Sequence, residues 1–306
     1  MDRYAVIGQP VAHSKSPFIH AQYARQTAQS LSYTAIEVAA DALEPTLRRL
    51  HDEGYLGINI TLPHKVAAAA LCEEVSERAK LAGAVNILSR TGSGWRGDNT
   101  DGEGLVRDLT RNLHLSIAGK RLLVLGAGGA ARGILKPLLD EKPVSLTLTN
   151  RNPWKPEELA PQFTAYGNIL PCTHLAIKGD QFDLIIHATS AGHDGAMPRI
   201  ADHILAPGGS CYDLSYGRAF EVFAAWARGE GATRITDGLG MLAEQAAAAF
   251  RIWRGVEPET AAVIASLRAS ASAIDDDAET GILDSSAKAR SAAAHTSAAH
   301  SVAAED

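Results

Sequence analysis

Short apolar runs alternate with amphipathic segments of helical length along most of this chain. That alternation is typical of α/β proteins with a mostly parallel sheet. A proline near the start of the first helical segment favours a helix N-terminus there, with Ser16 as the capping residue. In the first third of the chain the pattern predicts three helices, at residues 17–28, 41–53 and 64–71, and four strands, at residues 4–7, 32–38, 57–61 and 85–88.

A second series of strands follows in the middle of the chain. Segment 103–112 is predicted to be a helix that leaves the first domain, and the alanine-rich segment 239–253 a long helix that returns and packs on it. We therefore expect two domains, residues 1–102 with 239–270, and residues 103–238. The second series comprises strands at residues 121–126, 144–149, 182–188, 210–214 and 234–236, with a helix at residues 130–139.

The last part of the chain differs in composition from the rest. From about Ser270 it consists mostly of Ala, Ser, Asp and His, with almost no large apolar side chains. Such a segment cannot bury enough surface to offset the entropy lost when it is ordered. We expect residues 271–306 to form a disordered tail.

Charge and composition argue against several kinds of binding partner and site. The formal net charge of -6, with charges interspersed, argues against a nucleic-acid or anionic-membrane surface. Three distant cysteines and scattered histidines predict neither a disulfide scaffold nor a metal site. No apolar stretch approaches the roughly 18 residues of a membrane span. The chain begins with a strand rather than a signal sequence, so we expect a cytoplasmic protein.

A glycine-rich turn opens the second series of strands. It follows an apolar strand directly and precedes a helix. Glycine lets the backbone turn tightly and approach a pyrophosphate, whose charge is stabilised by the N–H groups at a helix start. This context predicts a Rossmann-like, doubly wound dinucleotide domain, although a tight turn without a ligand is the alternative. The turn consists of Gly126, Ala127, Gly128, Gly129 and Ala130.

The end of the next strand indicates which dinucleotide is bound. Folds that use NAD place an acidic residue there, on the ribose 2′-hydroxyl. Here the strand ends in Asn150, Arg151 and Asn152, and Lys155 follows. Two cations at this place favour NADP(H) over NAD(H), because they attract the additional phosphate. The alternative is a pair of solvated surface cations.

Polar residues at the end of the 57–61 strand predict a substrate site. Asn59 and Thr61 share one face of that strand, and Lys65 starts the helix that follows. Asp101 lies in a polar segment flanked by glycines, where a carboxylate can orient Lys65 and accept a hydrogen bond from a substrate hydroxyl. In the alternative interpretation Asn59 holds a turn, Lys65 lies on the surface and Asp101 caps the following helix.

A helix start near the N-terminus adds a further polar group. Ser14 and Ser16 flank it and provide two hydroxyl donors beside backbone N–H groups. Capping explains one of these serines but not both. The pair therefore predicts a site for a substrate carboxylate.

Together these residues resemble the shikimate dehydrogenase family. The resemblance is collinear from about residue 4 to residue 267. It depends on the order and spacing of several motifs rather than on any one of them. The motifs lie at residues 8–17 with His20, and at 57–65, 83–86, 97–104, 126–133, 150–151, 188–190, 212–216 and 237–242.

The resemblance implies NADPH-dependent, reversible reduction of 3-dehydroshikimate to shikimate, in chorismate and aromatic amino-acid biosynthesis. It implies that Lys65 is the catalytic acid/base and Asp101 its partner. The oligomeric state, monomer or homodimer, is left open. The substrate would be bound by Ser14, Ser16, Asn59, Thr61, Lys65, Asn86, Asp101, Tyr216 and Gln245. The NADP cofactor would be bound by Glu77, Gly126, Ala127, Gly128, Gly129, Ala130, Asn150, Arg151, Asn152, Lys155, Leu214 and Gly238.

Four positions depart from the family pattern. His187 stands where the family usually has Asn, so a strand-end hydrogen bond is expected to differ. Asn152 replaces the usual Thr after the arginine, which affects the adenosine phosphate site. Arg218 and Glu221 are unusual in the loop after Tyr216. The last two leave the conformation of that loop open, whereas neither His187 nor Asn152 touches the implied chemistry.

Two other functions compete with this interpretation. A quinate/shikimate dehydrogenase accepts a substrate with an additional ring hydroxyl and often uses NAD, and Arg151 argues against NAD. A non-catalytic sensor of a shikimate-pathway ligand would have lost the lysine or the carboxylate, or gained a DNA-binding segment. This chain keeps Lys65 and Asp101 and has no basic helix-turn-helix segment.

Overall fold

A computed structural model describes residues 1–177 and 181–270. The chain divides into two compact units, Met1–Val263 and Ile264–Asp306. Residues 261–270 are helical, and the tail predicted for residues 271–306 lies outside the described part of the chain. Within the described part, no helix has both the length and the apolar character that crossing a membrane requires.

The first half of the chain contains a six-stranded sheet. Its strands are β1 (Asp2–Gly8), β2 (Leu31–Glu37), β3 (Tyr55–Ile60), β4 (Glu74–Val75), β5 (Ile87–Arg90) and β6 (Trp95–Asp98). In space they run in the order β2-β1-β3-β5-β6-β4. β1 pairs in parallel with β2 and β3, whereas β5 is antiparallel to both β3 and β6. The short strands β4 and β6 were not predicted.

Four helices accompany this sheet, namely α1 (Ser16–Gln26), α2 (Leu43–Asp52), α3 (Lys65–Ala70) and α4 (Glu77–Ala82). The first three confirm the predicted helices, and α4 was missed because it is short. The prediction that Ser16 caps α1 is wrong. Ser16 is the first helical residue, and its N–H donates to the Ser14 hydroxyl over 3.3 Å. Lys15 is the N-cap residue and its side chain forms no capping hydrogen bond, so the hydroxyl that accepts at this helix start is that of Ser14.

The second half of the chain forms a parallel six-stranded sheet. Its strands are β7 (Arg121–Leu125), β8 (Ser145–Asn150), β9 (Ile169–Thr173), β10 (Phe182–His187), β11 (Leu205–Asp213) and β12 (Arg234–Thr236). The order β12-β11-β10-β7-β8-β9 reverses between β7 and β10, which confirms the doubly wound prediction. In such sheets ligands bind beyond the carboxyl ends of the strands at that reversal. Strand β9 was not predicted.

Helices α6 (Gly129–Asp140), α7 (Trp154–Leu159) and α8 (Arg218–Gly229) accompany the second sheet. The core between α6 and the sheet is fully buried and aliphatic, with Leu122 and Val124 from β7 against Ile134 and Leu138 from α6. Because this core buries the apolar face of α6, the start of that helix is held at the end of β7.

Two further helices connect the halves of the chain. α5 (Asp101–Arg107) continues into a π-helical turn (Asp108–Asn112), and α9 (Leu239–Arg254) follows the last strand. The Tyr23 hydroxyl of α1 donates to the Ala243 carbonyl of α9 over 2.9 Å. Trp253 Nε1 donates to the Leu88 carbonyl of β5 over 3.1 Å. The alanine-rich helix thus contacts α1 and the first sheet.

Candidate active site

A lysine and a carboxylate meet at the edge of the first sheet. Lys65 Nζ donates to Asp101 Oδ2 over 2.5 Å. The Asp101 side chain is 7% exposed and that of Lys65 is 19% exposed, so the pair is largely screened from water. An ion pair in such surroundings interacts more strongly than one at the surface. The predicted meeting of Lys65 and Asp101 is therefore present in the structure.

The strand directions explain why these residues meet. β5 runs antiparallel to β3 and β6, so its amino end lies beside their carboxyl ends. The register pairs Asn59 with Ile87, and Ile87 with Asp98. The segments that follow β3 and β6 and precede β5 therefore converge. Those segments carry Lys65, Asp101 and Asn86.

Asn86 connects the pair to the return helix. Its Nδ2 donates to Asp101 Oδ1 over 2.7 Å and reaches Gln245 Oε1 at 3.2 Å. Its Oδ1 accepts the Thr100 N–H over 2.8 Å. Both oxygens of Asp101 thus have a donor, and its carboxylate is fixed in one orientation.

The other predicted substrate residues lie in neighbouring segments. Asn59 is buried in β3, and Thr61 follows that strand, with its N–H donating to the Ile7 carbonyl over 3.0 Å. Ser14 and Ser16 lie together at the start of α1. Tyr216 follows β11, where burial, with a contribution from Asp237, raises the pKa of its phenol.

The glycine turn of the second sheet has the geometry of a phosphate site. Gly126 has a φ of +119°, and a Cβ there would lie 2.7 Å from the Ala188 carbonyl oxygen, so the fold itself requires glycine. At Gly128 a Cβ would meet no protein atom within 4 Å. Gly128 is the N-cap residue of α6, and the open space there leaves room for a ligand to approach the backbone at the start of the helix.

The predicted 2′-phosphate residues are exposed beside β8. Arg151 and Lys155 form no ion pair among the described residues. The Asn152 side-chain oxygen accepts the Trp154 N–H over 3.1 Å, and Asn150 Nδ2 donates to the Asn152 backbone carbonyl over 3.3 Å. Asn152 therefore shapes this turn with its side-chain oxygen. Two unpaired cations at the strand end fit a dinucleotide with an additional phosphate.

Two other predicted cofactor residues come together beyond β11 and β12. The Gly238 N–H donates to the Ser215 carbonyl over 2.8 Å, directly after Leu214. Glu77 has a different setting, at the exposed start of α4 and paired with Lys80 at 2.8 Å. The structure thus places Leu214 and Gly238 side by side, whereas Glu77 lies on the surface.

His187 is fully buried at the end of β10 and has a hydrogen-bond partner at each ring nitrogen. Its Nδ1 lies 2.9 Å from Asp213 Oδ2 and its Nε2 lies 2.6 Å from Thr189 Oγ1. The same threonine oxygen accepts the Ala191 N–H over 3.2 Å, and Asp213 Oδ1 accepts the Ser215 N–H over 2.8 Å. His187, in place of the family's usual Asn, therefore connects the loops after β10 and β11 through Thr189 and Asp213.

Two residues of this site were not predicted from the sequence. Thr100 donates to the Gln245 backbone over 3.1 Å, and the Tyr33 hydroxyl donates to Asn59 Oδ1 over 2.6 Å. Thr100 lies within the recognised motif at residues 97–104, which is a usable signal. Tyr33 lies on a predicted strand without any motif, so only the tertiary structure reveals its role.

Known proteins match along nearly the whole chain. Residues 6–88 match the family profile "Shikimate dehydrogenase substrate binding domain", residues 108–196 match "Shikimate / quinate 5-dehydrogenase", and residues 238–268 match "Shikimate 5'-dehydrogenase C-terminal domain". The shikimate dehydrogenase (NADP(+)) of Nitrosospira multiformis is 46% identical over 269 residues, covering 88% of this chain and 98% of that protein. The enzyme of the same name from Methylobacillus flagellatus is 49% identical over 272 residues, covering 88% and 100%.

Solved structures agree with these matches. An Ael1 enzyme from Pseudomonas putida superposes with a TM-score of 0.82 at 41% identity, covering 87% of this chain and 98% of that one. Shikimate 5-dehydrogenase from Thermus thermophilus, in complex with NADP(H) and shikimate, superposes with a TM-score of 0.77 at 32% identity, covering 88% and 99%.

The doubly wound sheet, its glycine turn and the lysine–carboxylate pair fit an oxidoreductase of the pyridine-nucleotide-dependent class, which is the class that the relatives show. Two bacterial enzymes share nearly half of their residues with this chain over almost their whole length. The chain belongs to the NADP-dependent shikimate dehydrogenase family.

Proposed function

We propose that this chain catalyses the reversible, NADPH-dependent reduction of 3-dehydroshikimate to shikimate, with Lys65 as the acid/base and Asp101 as its partner. The observation that carries this proposal is the 2.5 Å contact between Lys65 Nζ and Asp101 Oδ2 in a largely buried setting. A polyol substrate needs donors and acceptors in fixed positions, and this pair supplies both.

The chemistry of the residues follows from the charge that develops on the substrate. When bound, the reduced nicotinamide supplies the hydride that reduces the ring ketone. Lys65 donates a proton to the ketone oxygen as negative charge develops on it. In the opposite direction the neutral Lys65 amine takes the proton of the alcohol. Asp101 holds Nζ in place and accepts a hydrogen bond from a ring hydroxyl.

The remaining residues would bind and orient the two ligands. We propose that Ser14 and Ser16 bind the substrate carboxylate, while Asn86 and Gln245 fix Asp101 and face the ring. Thr61 and Tyr216 would complete the pocket. The Gly126–Ala130 turn would hold the pyrophosphate at the start of α6, and Arg151 with Lys155 would bind the 2′-phosphate.

We also propose that residues 1–102 with 239–270 act as the substrate domain and residues 103–238 as the NADP domain. The first six strands all lie before residue 99 and the second six all lie within residues 121–236. Nicotinamide and substrate must meet for hydride transfer, so the ends of the two sheets would face one cleft, which closure would protect from water.

The test is an absorbance assay at the nicotinamide band with purified protein. Shikimate and quinate are each supplied with NADP⁺ and with NAD⁺. We expect rapid NADP⁺ reduction with shikimate and much slower reaction in the other three combinations. Preferred turnover of quinate would support the quinate dehydrogenase, and no turnover with either substrate would favour a sensor.

A further inference from the structure

A tyrosine outside the recognised motifs contacts the side-chain amide of Asn59. The Tyr33 hydroxyl, on β2, donates to Asn59 Oδ1 over 2.6 Å. Asn59 is 5% exposed, and its Nδ2 donates to the Asn86 carbonyl over 3.2 Å. The two ends of an amide have almost the same shape, so only their partners decide which way the group points. Here a donor at one end and an acceptor at the other select the same orientation.

The Tyr33 ring is itself held in place by a buried histidine. His20 stacks on it with ring centroids 4.2 Å apart and planes inclined by 7°. Burial lowers the pKa of His20 to about 3, and a hydrogen bond with Asn59 opposes this shift only in part. The imidazole is therefore uncharged at neutral pH and packs as a flat, neutral ring. The phenol hydroxyl is thereby fixed opposite Asn59 Oδ1.

Hydrogen-bond counting shows what Asn59 can offer a ligand. Its amide nitrogen carries two hydrogens, and the Asn86 carbonyl takes one of them. Its oxygen accepts from Tyr33, and the hydrogen bond with His20 involves the same oxygen, because a hydrogen bond that raises the pKa of a histidine is one in which the ring donates. One N–H therefore remains for a ligand, beside Asn86, whose own side chain contacts Asp101. That ligand has to offer a hydrogen-bond acceptor.

We propose that Tyr33 is a positioning residue that directs an Asn59 N–H at the oxygen of a substrate ring hydroxyl. This inference rests on the proposed function, because it assumes that the hydroxylated ring occupies the pocket beside Lys65. Without the phenol, the Asn59 amide can rotate and present its oxygen or leave its N–H misdirected. The loss then falls on substrate binding and not on cofactor binding.

The experiment is a double-mutant cycle on shikimate binding, measured by isothermal titration calorimetry. The four proteins are the wild type, Tyr33→Phe, Asn59→Ala and the double variant. We expect Tyr33→Phe to weaken binding about fivefold to tenfold when Asn59 is present, as for loss of one buried hydrogen bond. In the Asn59→Ala background it should weaken binding less than about twofold, since the residue it acts through is gone.

Steady-state kinetics supply a reading that a general loss of structure would not produce. Tyr33→Phe should raise the KM for shikimate while the KM for NADP⁺ stays the same. Tyr55→Phe is the matched control. Tyr55 lies at the start of β3, where Arg3 Cζ is 5.1 Å from the centroid of its ring. We expect that variant to bind shikimate like the wild type.

Three results would overturn the role of Tyr33. They are unchanged shikimate affinity in Tyr33→Phe, an equal loss in both Asn59 backgrounds, and a parallel rise in both KM values. Wild-type turnover of shikimate with NADP⁺ is measured first. Its absence would overturn the proposed function, whereas turnover with a flat cycle would overturn only the inference about Tyr33.

Discussion

Four of the residues proposed to bind the substrate are hydrogen-bonded to one another, whereas the two cations proposed to bind the 2′-phosphate extend into solvent. Lys65, Asp101, Asn86 and Gln245 form one connected, largely buried group. Arg151 is exposed at the end of β8. The substrate part of the site is therefore preorganised before a ligand binds, whereas the cations of the cofactor part are not.

The difference follows from what each part must recognise. A ring with several hydroxyls is distinguished from its relatives by the direction of each hydrogen bond, which requires fixed donors and acceptors. A phosphate is recognised mainly by its charge, which a long and flexible cation can follow. We therefore expect changes in the substrate part to affect kcat or substrate binding, and changes in the cofactor part to affect cofactor binding.

The largest expected effect is that of Lys65→Ala in the buried group. Removing a positioned acid/base should lower kcat by on the order of 10²-fold or more. Lys80→Ala is the matched control, because Lys80 is exposed and paired only with Glu77 among the described residues. Steady-state kinetics of both variants make the comparison. A near-normal kcat in Lys65→Ala would show that another group moves the proton.

The next largest effect is expected at the exposed cation of the cofactor part. Arg151→Ala should raise the KM for NADP⁺ roughly tenfold to 100-fold, since it removes a charge-assisted phosphate contact. The value of kcat should change little. Arg199→Ala, another exposed arginine of the same half, should behave like the wild type. An unchanged preference for NADP⁺ over NAD⁺ in Arg151→Ala would contradict the 2′-phosphate assignment.

Substitutions at two glycines of the same turn should have different effects, one on stability and the other on cofactor binding. Gly126→Ala should lower the free energy of unfolding by about 1–3 kcal/mol, because a side chain is strained at its positive φ and meets the Ala188 carbonyl. Gly128→Ala should keep the stability and raise the KM for NADP⁺ several-fold. Thermal unfolding and cofactor kinetics of both variants give the readings. Equal loss of stability in the two would refute the distinction.

The smallest expected effects are on the stability of the fold. Buried histidines make this stability depend on pH. Burial lowers the pKa of His20 to about 3. Between that value and the ordinary value near 6.5, only the unfolded state takes up the proton. Stability should therefore fall as the pH drops through this window, by at most about 1.4 kcal/mol per unit, and be unaffected above it.

His20→Gln should flatten this dependence in denaturant titrations at several pH values. His174, on the cofactor side, provides the comparison, because burial followed by Arg151 and His187 lowers its pKa as well. Its shift is the smaller one, so His174→Gln should flatten the curve less. The same slope in wild type and His20→Gln would show that His20 is protonated in the folded state.

Much of the fold and the candidate site could be predicted from local sequence. The apolar runs of β1, β3 and β7 and the glycine turn after β7 are long or distinctive signals. The two-residue strand β4 and the six-residue helix α4 carry too little periodicity to be detected. Ser16 was misassigned as a cap because Ser14 has the same chemistry two positions earlier. Cap geometry depends on where the backbone enters the helix.

The sequence by itself determined the chemical inventory, namely a lysine, a carboxylate, amides and a glycine turn in a definite order. The tertiary structure decided which of these groups share hydrogen bonds. The reversed direction of β5 brings Asn86 to Asp101, and Tyr33 reaches Asn59 from two strands away. Such contacts depend on strand order and direction, which arise from packing over long sequence separations and leave no local pattern.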